Sequence, residues 1–161
     1  MMISNAKKSI HLITPYFIPD PILIMALKNA AMSGLDVKII LPSRFEHDYT
    51  IPFYASRTYF EELLDAGVKI YVYRKGFIHA KTIITDSKTA TLGTTNFDIR
   101  SLQLNFDVNL VLYSEEDVLK IEKYFSESLE RARKIDAYRF KKRRIHRRIR
   151  ESVCRLLSPI L

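Results

Sequence analysis

FIHAKTIITDSKTATLGTTNFDIRSLQLNFDVNLV, residues 77–111, is the stretch that decides the fold. It contains His79-x-Lys81-x4-Asp86 followed by Gly93-Thr94-x-Asn96, and it closes in segments that alternate like strands. The pattern predicts a strand over Ala80 to Asp86, a returning strand over Thr89 to Gly93, and a further strand over Phe106 to Tyr113. Residues two apart on a strand face the same way, so His79 and Lys81 share one surface. An imidazole beside a fixed cation suits a phosphodiester, whose phosphorus is shielded by anionic oxygens until their charge is offset. Asn96 adds a neutral donor, and Gly93 permits close approach of backbone or substrate.

Working outward, Ser9 to Phe17 reads as a first strand, and Asp20-Pro21 as the cap and first residue of a helix running to about Gly34. Asp36 to Leu41 is a short apolar strand of the buried kind, and strand–helix–strand at this spacing predicts a right-handed parallel crossover. A second helix is expected from about Asp48 to Ala66, stopped at Gly67, and a third strand over Val68 to Tyr73. Ser114, followed by Glu115, Glu116 and Asp117, opens a helix whose Val118, Ile121, Phe125 and Leu129 face the core. The fold class is therefore α/β, a sandwich with a mixed sheet flanked by helices.

A chain of 161 residues fits one ordinary domain with a real core. No apolar run approaches the length of a membrane span, and Pro15 interrupts the opening segment before it resembles a leader. The single cysteine, Cys154, offers no disulfide framework and no cysteine metal site. The net charge of +8 is concentrated: Arg139, Lys141, Lys142, Arg143, Arg144, Arg147, Arg148 and Arg150 match the whole excess. Ile145, Ile149, Val153, Leu156, Leu157 and Ile160 recur opposite these cations at helical spacing. A near-neutral body over 1–135 thus carries a basic amphipathic helix over 136–161. Such a helix lies on anionic membranes or packs against the rest of a larger protein, and the two are compatible.

The spacing His-x-Lys-x4-Asp-x6-Gly-Thr-x-Asn resembles the signature of the phospholipase D superfamily. Further segments narrow the resemblance to the C-terminal catalytic half of bacterial cardiolipin synthases: Thr14-Pro15-Tyr16-Phe17-x-Pro19-Asp20, Asp65 to Tyr71, Gly76-Phe77-x-His79-x-Lys81, Asp98-x-Arg100-Ser101, Leu104-Asn105-Phe106 and the closing Leu156-Leu157-Ser158-Pro159. It covers nearly the whole chain. The resemblance implies a phospholipase D-like sandwich and a phosphatidyltransferase that joins two phosphatidylglycerols into cardiolipin and frees glycerol, without a metal or other cofactor. It makes His79, Lys81 and Asp86 the catalytic motif and assigns substrate phosphate to Lys81, Thr94 and Asn96. Asp86 is expected to form a structural salt bridge rather than take part in the chemistry. Asp107 stands where relatives carry Glu and is expected to hold the His79 ring in one tautomer.

The implied mechanism needs two imidazoles, one attacking phosphorus and one handling protons. His11, His47 and His146 lack the Lys and Asn companions and are expected to be structural or solvated. By its resemblance to the C-terminal motif of two-motif members, His79 is expected to be the general acid/base, or to serve as either in a symmetric dimer, and the partner is an N-terminal half with its own motif or a second copy of the chain. Three readings stay open: the second half of a cardiolipin synthase acting on phosphatidylglycerol, a homodimeric single-motif nuclease or phosphodiesterase binding nucleic acid through its basic tail, and a non-catalytic membrane-binding fragment. The expected location is the cytoplasmic face of a bacterial cell membrane, held peripherally.

Overall fold

A computed structural model describes residues 2–43 and 50–156. A short turn of helix, α1 (Met2–Asn5), precedes β1 (Ser9–Ile13), and β2 (Phe17–Ile18) follows. Helix α2 (Pro21–Met32) starts where expected, because Asp20 Oδ1 accepts from the Leu23 N–H at 2.8 Å and Pro21 occupies the first turn. Next come β3 (Asp36–Leu41), α3 (Thr50–Arg57), α4 (Phe60–Asp65) and β4 (Lys69–Tyr73). The motif region forms β5 (Thr82–Thr85), β6 (Thr89–Gly93), β7 (Phe97–Asp98), α5 (Ile99–Gln103) and β8 (Asn109–Leu112). The chain ends in α6 (Glu115–Glu130), β9 (Ala132–Lys134), α7 (Ala137–Lys141) and α8 (Ile145–Arg155).

Seven strands make one mixed sheet in the order β8-β6-β5-β1-β3-β4-β9, with β1, β3 and β4 parallel and the others antiparallel to their neighbours. Helices cover both faces. Ile10, Leu12, Val37, Ile39 and Ile70 pack toward the α2, α4 and α7 side, whereas Ile13, Ile40, Ile84 and Ala90 meet Val118 and Phe125 of α6. Burial on both faces explains why the central strands read as apolar runs. The expected α/β sandwich with a mixed sheet is the observed fold. A two-stranded sheet pairs Phe17 with Phe97, tying the segment after β1 to the segment after the motif.

Several expected elements differ, among them the first strand, which ends at Ile13 and not at Phe17. The long second helix is two, and its expected start at Asp48 lies outside the described residues. Between α3 and α4 the Thr58 hydroxyl donates to Ala55 O at 2.7 Å and the Tyr59 N–H bonds Ser56 O at 3.1 Å, so the turn tightens and the helix breaks. The strand expected from Phe106 begins only at Asn109, and the Phe106 ring is fully exposed. The basic tail is two helices rather than one. It is also packed on the body, with Phe140 in the core and Glu151 only 1% exposed.

Candidate active site

The turn Thr85-Asp86-Ser87-Lys88 joins β5 to β6, with Asp86 and Ser87 at φ 56° and 52° and the Lys88 N–H bonded to Thr85 O at 3.0 Å. Positive φ at both central residues makes it a hairpin turn of the primed kind, a conformation that Asp tolerates. The Asp86 carboxylate points at the opposite end of the sheet from His79. It accepts from the backbone N–H groups of Lys7 (2.9 and 3.1 Å), Lys8 (2.7 Å) and Ser9 (3.0 Å), fixing the entry to β1. The expected salt bridge is replaced by a nest of amides. These hydrogen bonds outweigh the rise that burial would cause and hold the carboxyl below its usual range. Asp86, counted with the catalytic residues on the motif, is thus positioned to support the strand and not to touch substrate.

His79 and Lys81 lie just before β5, not within the expected strand, yet they stay together: Lys81 Nζ donates to His79 O at 3.0 Å. The His79 ring is exposed and sits 5.3 Å from the Phe77 ring. Partial burial, then the Lys81 ammonium, push its imidazole below the usual pKa. Burial also lowers the Lys81 ammonium, while Asp107 and Asp98 pull it back up. The site therefore pairs an imidazole whose hold on a proton is weakened with a partly buried cation near the Asp107 and Asp98 carboxylates, an arrangement suited to passing a proton to and from an oxygen on phosphorus.

Gly93 is where β6 meets the segment leading into β8. A Cβ there would collide with Asn109 Oδ1 and Val108 O, so the glycine serves backbone approach rather than substrate approach. Beyond it, Thr94 N–H bonds Val108 O at 2.9 Å, and Thr94 Oγ1 donates to Asp107 Oδ1 at 2.7 Å and accepts from Val108 N at 2.9 Å. Thr94 is thereby hydrogen-bonded to the backbone and to Asp107. Asp107, expected to orient His79, makes no hydrogen bond to that ring. Its Oδ2 is buried and unpartnered among the described residues. Asn96 donates only a long bond, 3.5 Å, from Nδ2 to Ser101 Oγ, and its Oδ1 is also buried without a partner among the described residues.

Sequence reasoning used Asp98 and Ser101 only for the resemblance and gave them no place in the site. Asp98 is 5% exposed, caps α5 through the Ser101 N–H at 2.7 Å, and burial raises its carboxyl pKa. The Asp-x-x-Ser spacing before a helix was the available signal. His11 is structural: its ring stacks on Phe125 at 4.5 Å and its Nδ1 lies 2.6 Å from Glu122 Oε1. His146 is exposed on α8, and His47 lies outside the described residues. No group of three or more His, Cys, Asp or Glu converges among the described residues.

This sheet, with the His79–Lys81 pair at the edge where β1 ends and β5 begins, defines a phospholipase D-like domain. Two solved structures share the fold. The phospholipase D family member Nuc from Salmonella typhimurium superposes with a TM-score of 0.71 at 22% identity over 83% of this chain and 86% of that one. Phosphatidylserine synthase from Haemophilus influenzae gives 0.75 at 17% identity over 99% and 41%. The chain belongs to the family described as cardiolipin synthase, PLD-like domain, whose model matches residues 1–129. It is 54% identical over 160 residues to cardiolipin synthase 2 of Bacillus anthracis and 51% identical to a cardiolipin synthase of Geobacillus kaustophilus, covering 99% of this chain in both cases. It spans about a third of those relatives, 31% and 32% of their lengths.

Proposed function

We propose that the chain supplies the second catalytic half of a phosphatidyltransferase that converts two phosphatidylglycerols into cardiolipin and glycerol. The observation that carries this reading is a single His79–Lys81 site on a chain matching one third of full-length cardiolipin synthases. An imidazole from the other half attacks phosphorus and forms a P–N bond, the P–O bond to glycerol breaks, and His79 gives its proton to the leaving alkoxide. His79 then takes the proton of the incoming phosphatidylglycerol hydroxyl as that oxygen displaces the phosphohistidine. Lys81 and Asn96 would hold the non-bridging oxygens.

The surface that receives the other half is proposed to be the edge beside Thr94 and Asp107. Leu104, Phe106, Val108, Leu110 and Tyr113 are all exposed there, next to the unpaired edge of β8. Membrane attachment is assigned to α8, which turns Ile145, Ile149, Val153 and Leu156 outward at helical spacing. Among the described residues no helix is long and apolar enough to cross a membrane. The membrane so bound would be the cytoplasmic face of a bacterial cell membrane.

A homodimeric single-motif phosphodiesterase is the second reading, favoured by the 86% coverage of the whole Salmonella chain. Light scattering of the isolated chain, with phosphatidylglycerol vesicles and EDTA, separates the two. Lipid turnover that requires the N-terminal half and vanishes in His79→Ala supports the transferase. A dimer that cleaves nucleic acid in EDTA, without acting on lipid, overturns it.

A further inference from the structure

At the sheet edge where β3 and β4 end, a cleft of ≈ 600 Å³ opens between β4, β9 and the helices α3, α7 and α8. Six arginines line it: Arg57, Arg74, Arg133, Arg139, Arg143 and Arg147. They form two tiers. At the floor, Arg57 Nε and Arg143 Nε donate to the two oxygens of buried Glu151 at 2.6 and 2.7 Å, and both guanidiniums lie over the Phe140 ring at 4.8 and 4.2 Å. At the mouth, Arg74, Arg133, Arg139 and Arg147 are exposed and have no carboxylate within ion-pair distance among the described residues. The acid in the lining, Asp136, is committed to capping α7 through the Arg139 N–H at 2.8 Å.

So many like charges held close repel one another, and among the described residues the lining sets only the Asp136 carboxylate against them. Planar guanidinium forks match phosphate oxygens better than any other side chain. The lining aromatics, Phe53 and Phe140, are 9% and 6% exposed, so no ring is offered for stacking a nucleobase. Arg147 reaches the cleft from α8, the helix whose other side exposes Ile145, Ile149, Val153 and Leu156. Lys81 enters β5 and Arg74 leaves β4 at the same edge, three strand spacings or roughly 14 Å apart. A surface presenting a phosphodiester to His79 therefore lies against the cleft as well.

We infer that this cleft is a second phospholipid site, which holds the headgroup phosphate of an anionic lipid without converting it. The inference rests on the membrane reading of α8, but it is tested on monomeric lipid, so the two can fail separately. Dihexanoylphosphatidylglycerol, kept below its micelle concentration, is titrated calorimetrically into the His79→Ala chain to exclude turnover. Saturable binding is expected, weakened at least tenfold in Arg133→Glu/Arg147→Glu and partly restored in the Lys/Lys variant, with unchanged melting. Binding within twofold of the parent in the charge-reversed variant overturns the site, as does equal binding of dihexanoylphosphatidylcholine. Tighter binding of an oligouridylate, lost in the same variant, also overturns it in favour of RNA. Ile145→Asp/Ile149→Asp should abolish flotation with phosphatidylglycerol vesicles and spare the monomer titration, and loss of both would overturn a cleft that acts independently of the stripe.

Discussion

Replacing Asp86 separates support from chemistry within the motif. Its carboxylate receives hydrogen bonds from three backbone amides, those of Lys7, Lys8 and Ser9, at 2.7 to 3.1 Å. A hydrogen bond to a charged group contributes about 1.5–3 kcal/mol. The Lys7 and Lys8 amides face solvent and all three share one carboxylate, so their joint contribution lies near the low end, about 2–3 kcal/mol. Asp86→Ala also places a residue without a local polar side chain at φ 56°, costing about 1 kcal/mol more. The expected loss is about 3–4 kcal/mol for Ala and about 1–2 kcal/mol for Asn, which keeps one acceptor and tolerates the conformation. At roughly 2–4 °C per kcal/mol for a chain of this size, Asn should lower Tm by about 3–6 °C and Ala by about twice that or more. The folded carboxyl is held below its usual pKa, so its contribution is present above the unfolded value and disappears as pH falls through the lower folded value. The gap between parent and Asn variant should therefore close under acid. An Asp86→Asn chain that melts with the parent but loses all phosphodiester chemistry would refute this account and return Asp86 to the reaction.

Glu151→Gln should destabilise by about 3 kcal/mol, because Arg57 and Arg143 are left with an uncharged partner in a buried setting; urea unfolding within 0.5 kcal/mol of the parent would contradict it. In an NMR titration His79 should protonate below the ordinary histidine range, and Lys81→Met should move it upward by removing a repelling charge; an unmoved midpoint would mean that the ammonium does not act on the ring. Phe106→Asp with Leu110→Asp should abolish lipid turnover when the chain is combined with the proposed N-terminal half while leaving the isolated chain's Tm within a few degrees. Undiminished turnover would move the docking surface elsewhere.

The parallel core was legible because its signals are local and redundant. Residues 36–41 are apolar enough to be buried on both faces, and the Asp20-Pro21 cap fixes the start of α2. The edges were harder. β9 carries Arg133 and Lys134, whose charge conceals a strand specified by its partner, Tyr71 to Tyr73, rather than by its own pattern. Alternation from Phe106 to Tyr113 suggested a full strand, but β6 offers partners only as far as Gly93, opposite Asn109. In the site, spacing brought His79 and Lys81 together correctly even though they precede the strand. It could not reveal that Thr94 and Asp107 bond each other, since that contact depends on how the Gly93 turn folds back.

Of the four buried side-chain polar atoms without hydrogen-bond partners among the described residues, three, Thr82 Oγ1, Asn96 Oδ1 and Asp107 Oδ2, belong to the motif region, and the fourth is His11 Nε2. Each such group costs on the order of 1–3 kcal/mol, so evolution of a stable lone domain would favour replacing them. Asp107 acts on the nearby Lys81 ammonium, and it lies within the exposed apolar edge from Leu104 to Tyr113. Apolar exposure and unmet hydrogen-bonding capacity thus coincide on one face, where docking of a second domain would cover the first and supply donors for the second. The opposite pole behaves differently: Glu151 satisfies its arginines internally and the outward stripe of α8 carries no orphaned polar group. An interface with a protein needs specific donors, while an interface with lipid needs only apolar area and charge. The chemistry left unfinished at each pole is the chemistry its proposed partner would complete.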